Sequence, residues 1–69
     1  MTFCYRKLLG RMKERNITQT DLARALNISA QALNNKLNGR SVFTQKEIFS
    51  ACCALEIELS DISQYFFAV

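Results

Sequence analysis

From Ser29 to Gly39 the chain reads SAQALNNKLNG, and its side chains fall into two sets. Leu33 and Leu37 repeat at i, i+4 and belong to a buried stripe. Ala30, Gln31, Ala32, Asn34, Asn35 and Lys36 lie outside it. A carboxamide presents a donor and an acceptor side by side, so Gln31 can bond adenine N6 and N7 bidentately, and Asn35 can do likewise. Ala30 can pack on a thymine methyl, with Asn34 as a neighbour at the same surface. The chemistry on offer is recognition of base edges in a major groove. Catalysis finds no support: the chain has no His, the commonest general base. Cys4, Cys52 and Cys53 provide no zinc-ligand set without it. No catalytic residue, metal or cofactor is expected. Cys52, at helical spacing from Ile48 and Leu55, reads as a small core residue.

A base-reading helix needs groups that grip the phosphates. Gln19, at the start of the preceding helix, can bond a phosphate with help from the free N–H groups there. Lys36, Asn38, Arg40 and Thr44 can hold the nucleic-acid backbone on the other side. For any one of these residues the simpler reading is a solvated polar surface. The distribution of charge favours nucleic acid. All nine Lys and Arg lie within residues 1–46, beside only Glu14 and Asp21, for a net +7; residues 47–69 hold Glu47, Glu56, Glu58 and Asp61, for a net −4, which together make the chain's +3. One end should attract polyanions and the other repel them.

Short helices must position these groups. With 69 residues, no Pro and two Gly, the chain suits one all-α domain spanning 1–69, with short connections and a small core. Tyr5, Leu8, Leu9 and Met12 form an i, i+3, i+4, i+7 stripe that predicts a first helix over about Phe3–Arg15, closed by Asn16. Thr18 is an N-cap for a second helix over Gln19–Leu26, and Asn27 suits a left-handed reversal. Ser29 caps a third over Ala30–Asn38. Thr44 and Glu47 fit a capping box for a fourth, running to about Leu55. Ile57 and Leu59 read as loop anchors, and Ser60 as the cap of a last short helix through Ile62, Tyr65 and Phe66.

The stretch Thr18–Arg40, TQTDLARALNISAQALNNKLNGR, resembles the helix-turn-helix of the lambda-repressor and Cro-like (XRE-type) family. Gln19 stands at the motif's first position, Ala23 at its small residue where the helices cross, Asn27 where Gly is usual, and Leu33 at the buried aliphatic. The ending KLNGR and the terminal YFF are similar to short regulatory proteins of temperate phages of Gram-positive bacteria. The resemblance implies a compact five-helix lambda-repressor-like domain, its helix-turn-helix core at residues 18–40. By position it places Ala30, Gln31 and Asn35 at base-reading sites of a recognition helix, 30–38. Met12 and Leu37 stand where many members carry an Arg–Glu pair. The two are expected to touch, since apolar side chains can replace a buried ion pair. Lys36 replaces a usual aliphatic, which points to a rotated or shortened end of helix 3.

Two functions follow as expectations. The first is a sequence-specific regulator, a Cro-like phage or prophage repressor, acting on a double-stranded DNA operator. The second is a protein-binding modulator of a partner repressor, as antirepressor or co-repressor. The second draws on Tyr65, Phe66, Phe67 and Val69, an apolar chain end suited to an interface. Tyr65 and Phe66 can equally close the core, and Phe67 and Val69 can serve a homodimer or a foreign partner. No apolar run approaches the ~20 residues of a membrane span, and no signal-peptide pattern opens the chain. The expected location is the cytoplasm of a bacterial host cell.

Overall fold

The computed structural model describes residues 3–67, so Val69 lies outside the described residues. Five α-helices follow one another: α1 Arg6–Glu14, α2 Gln19–Leu26, α3 Ala30–Leu37, α4 Gln45–Leu55 and α5 Ile62–Phe66, with a 3-10 turn at Leu59–Asp61 between the last two. There is no strand among the described residues. None of the helices is long and apolar enough to cross a membrane.

Local chemistry explains most helix ends. The hydroxyls of Thr18, Ser29 and Thr44 accept from the backbone N–H groups of Asp21, Ala32 and Glu47, three residues on. At Thr18 and Thr44 the acid returns the bond to the cap's own N–H, completing two capping boxes. Bonds from the Thr18 backbone and hydroxyl hold the Asp21 carboxyl below its usual range. Asn16, Asn27 and Glu56 take left-handed backbone with φ near 56°, 60° and 55° and turn the chain after α1, α2 and α4.

Three ends differ from expectation. α1 starts at Arg6 rather than Phe3, because Tyr5 takes the N-cap position without a capping side-chain bond. α3 stops at Leu37, and Asn38 is its C-cap, donating its side-chain amide to the Asn34 carbonyl at 2.8 Å. Ser60 caps nothing: it lies inside the 3-10 turn, and α5 begins after Asp61.

α2 packs on both α3 and α4, and α1 packs on α5. A single core draws Leu8 and Met12 from α1, Leu22, Ala23 and Leu26 from α2, Leu33 from α3, Ala51, Cys52 and Leu55 from α4, and Phe66 from α5. Met12 is buried, and Leu37 packs half-buried against the same cluster. Apolar side chains therefore serve one core at both positions. Cys52 is buried as expected, and burial pushes its thiol up, away from the reactive thiolate. Phe43, from the loop before α4, stacks edge-on between Tyr5 at 5.4 Å and Phe66 at 5.3 Å, joining both ends of the chain through one aromatic column. Ile57 anchors its loop in the core, but Leu59 does not: its side chain is largely exposed.

Arg11 supplies a cap over a long sequence distance. Its Nε donates to the Leu55 carbonyl at 3.0 Å and its Nη2 to the Glu56 carbonyl at 2.9 Å, at the end of α4. A cation there satisfies unpaired carbonyls and opposes the negative end of the helix dipole. Arg11→Ala should lower stability by about 1–2 kcal/mol in urea denaturation. Arg11→Lys should recover less than half of that, because an ammonium lacks the planar fork that reaches both carbonyls.

Candidate functional site

The outer face of α3 is the surface that the sequence reading singled out. Its register sets Gln31, Asn34, Asn35 and Asn38 along one stripe, opposite Leu33, which is fully buried. Ala30 and Gln31 are exposed, and Asn34 and Asn35 are half-buried. The amides are linked in i, i+4 pairs: Gln31 Nε2 to Asn35 Oδ1 at 3.3 Å, and Asn38 Nδ2 to Asn34 Oδ1 at 3.1 Å. Such pairs are worth only tenths of a kcal/mol on a surface, so a stronger partner can displace them. The four expected base-reading residues, Ala30, Gln31, Asn34 and Asn35, therefore share one accessible face.

The expected phosphate-holding residues are more divided. Gln19 is exposed in the first turn of α2, and Arg40 is exposed just past Gly39, which turns the chain with φ 78°. Thr44 is exposed, with its hydroxyl oxygen accepting at the start of α4. Asn38 spends its amide hydrogens on Asn34.

Lys36 is turned inward. Its Nζ pairs with Glu47 Oε1 at 3.0 Å, donates to the Val42 carbonyl at 2.9 Å and lies 6.0 Å from the centre of the Phe43 ring. Only 12% of the Lys36 side chain and 13% of the Glu47 side chain meet solvent. Lys36 thus keeps the apolar course of the aliphatic that it replaces and delivers its charge to the head of α4. Burial alone would raise the Glu47 carboxyl, but the Thr44 backbone N–H and the Lys36 ammonium outweigh it and hold the group below its usual range.

Separation of charge along the sequence is not preserved in space. Lys7, Arg11 and Arg15, all on or just beyond α1, turn toward the acidic C-terminal third. Lys7 bonds the Gln64 side chain and sits 5.5 Å from the centre of the Tyr65 ring, while Arg15 pairs with Glu56. With Lys36, four of the nine cations are engaged internally. Among the described residues, Arg24, Arg40 and Lys46 form no ion pair, and these are the cations left around α2, α3 and the head of α4.

At the chain end, Phe66 is buried and Tyr65 half-buried, while Phe67 is about half-exposed and stacks edge-on against Phe3 at 5.5 Å. Phe66 is therefore a core residue rather than an interface residue, because it closes the aromatic column. Periodicity missed a neighbouring feature: Phe49 is 55% exposed and Leu59 56% exposed, close to Phe67 across a groove. The signal in the sequence is Phe49 itself, a large aromatic outside the stripe of Ile48, Cys52 and Leu55.

The chain belongs to the family described as "Protein of unknown function (DUF739)", whose profile matches residues 1–69. It is 36% identical to the modulator of repression (MOR) of the temperate bacteriophage TP901-1 from Lactococcus lactis. It matches that protein's solution structure with a TM-score of 0.79, over 97% of this chain and 90% of that one. The likeness to a short regulator of a temperate phage, and the five-helix fold that came with it, are thereby shown. Comparison with curated proteins finds no match.

Proposed function

We propose, taking membership of that family as the premise, that this protein is a non-enzymatic phage regulator that works by binding a partner repressor and altering its hold on DNA. The carrying observation is 36% identity across almost the whole of both chains to a protein named as a modulator of repression. Shared length matters here, because the likeness is not limited to a helix-turn-helix that many regulators share. Charge supports the same reading. With four cations engaged internally, and Lys36 withdrawn from α3 itself, the recognition-like helix offers amides but no free cation of its own. Phosphate neutralisation dominates protein–DNA affinity, and the internal pairs leave it to Arg24, Arg40 and Lys46 around the helix rather than to the helix itself.

The test mixes the full-length chain with the repressor encoded in the same phage or prophage. The expected result is a complex by calorimetric titration, together with a gel shift of repressor on operator DNA that changes when the chain is added. The chain alone should not shift that DNA at the same concentration and salt. Absence of any complex, with the repressor's shift unchanged, would refute the reading.

The amide stripe on α3 favours a second reading, direct operator binding. On that reading Gln31→Ala costs about 1–3 kcal/mol at the specific site and flattens preference at one base pair. Arg40→Ala then weakens binding to all sequences and lowers the salt slope by about one. Titrations against specific and scrambled duplexes at several salt concentrations distinguish the two readings. Unchanged DNA affinity in both folded variants would rule direct reading out.

A further inference from the structure

An apolar groove of about 460 Å³ runs between α4 and the C-terminal segment. Phe43, Ile48 and Ile62 line it from the core side, and Phe49, Leu59 and Phe67 rise from it with 55%, 56% and 49% of their surfaces exposed. Nothing in the helix-turn-helix requires large hydrophobes here, and exposed aromatics set in a concavity mark contact surfaces. We infer that this groove receives an amphipathic helical segment of the partner repressor, with apolar side chains one turn apart seated against Phe49, Leu59 and Phe67. The inference rests on the partner-binding reading and names where on the molecule that binding occurs.

Shape and charge identify the occupant. A second copy would have to build a stable dimer on this same patch. The three rising side chains expose on the order of 300 Å² of apolar area, less than half the ~800 Å² per partner of a standard stable interface. A single helix that lays its i, i+3, i+4 and i+7 anchors into the groove needs no more than that as its apolar centre. Charges of opposite sign stand near two of the rising side chains in the sequence. Lys46, one turn before Phe49, is exposed and has no ion pair among the described residues. Glu58, next to Leu59 in the chain, is exposed as well. The fitting segment is thus apolar on its inner face, acidic along the edge that meets Lys46, and basic along the edge that meets Glu58.

The experiment is a titration of isotope-labelled full-length chain, followed by amide NMR, with two probes. One is the full-length repressor from the same phage or prophage. The other is a designed 15-residue helical peptide with Leu and Phe anchors, one acidic edge and one basic edge. Both probes should move or broaden the amides of residues 45–50 and 57–63 first. Phe49→Ser/Leu59→Ser should weaken both at least tenfold while leaving the melting curve unchanged, since both side chains are more than half-exposed. Lys46→Glu should weaken both less, with the loss fading as salt rises. Repressor binding that survives the double substitution, or that moves α2 and α3 instead, overturns the groove assignment and leaves the partner-binding reading standing. Peptide binding in the groove without repressor binding overturns the partner reading and leaves a helix-binding groove. Concentration-dependent self-association abolished by the double substitution would make the groove a homodimer interface and overturn the proposal.

Discussion

Phe66→Ala is expected to remove a large share of the fold's stability and to lower its melting temperature by many degrees. Phe66 is 1% exposed, is the largest of the fully buried side chains, and comes from the last helix. Its ring meets Phe43 edge-on at 5.3 Å, and Phe43 meets Tyr5 at 5.4 Å, so the column holds the C-terminal segment, the α3–α4 loop and the start of α1 together. Deleting such a ring costs about 3–5 kcal/mol in lost burial and residual cavity. A domain of 69 residues has on the order of 3–10 kcal/mol in total. Phe66→Leu should retain a folded state with a lowered melting temperature, because most of the volume stays filled. Thermal and urea melts followed by circular dichroism read both results. A Phe66→Ala protein that melts within a few degrees of the wild type would show that α5 is not integral to the core.

Lys36→Ala should cost about 2–4 kcal/mol, more than an exposed charge warrants. The ammonium binds Glu47 and the Val42 carbonyl in a site where both charged side chains are nearly covered, and removing one member of a covered pair leaves the other uncompensated. Lys36→Met separates charge from stem. It keeps the packing near Phe43 and should recover part of the loss. The pH dependence carries a sign. The Glu47 carboxyl is held low in the folded state, so its contribution is complete above its unfolded-state pKa and is lost as pH falls through the folded-state value. The stability gap between wild type and Lys36→Met should therefore narrow on acidification below the ordinary glutamate range. NMR titration of Glu47 should show its pKa higher in the variant than in the wild type. A gap that stays constant with pH would mean that the pair contributes only packing.

The helix-turn-helix was legible in the sequence because its determinants act within three or four residues. Thr18, Ser29 and Thr44 cap the helices that follow them, and Asn27 turns the chain between α2 and α3. Apolar periodicity carries α1 on to Phe3, past the point where a cap is missing, whereas the helix starts at Arg6; Ser60 has a capping side chain but lies inside a 3-10 turn, whose start such a side chain does not decide. The amide face of α3 could be read as a stripe, since helical register alone sets which side chains share a face.

Only the tertiary structure decided where the charges go. Lys36 and Glu47 are eleven positions apart, and Arg11 reaches carbonyls 44 and 45 residues away. No local pattern encodes such partners, because they depend on how the helices dock. The same holds for Phe49 and Leu59. Phe49 falls outside the stripe of Ile48, Cys52 and Leu55, and Leu59 lies between Glu58 and Ser60, so no local pattern shows that Ala51, Cys52, Leu55, Ile57 and Phe66 fill the core and leave these two at the rim of one groove. Sequence by itself determined the order of the helices, the caps at Thr18, Ser29 and Thr44, and the family. Docking of those helices determined which cations stay free and which hydrophobes face outward, because both outcomes are set by competition for a core too small to hold every apolar side chain.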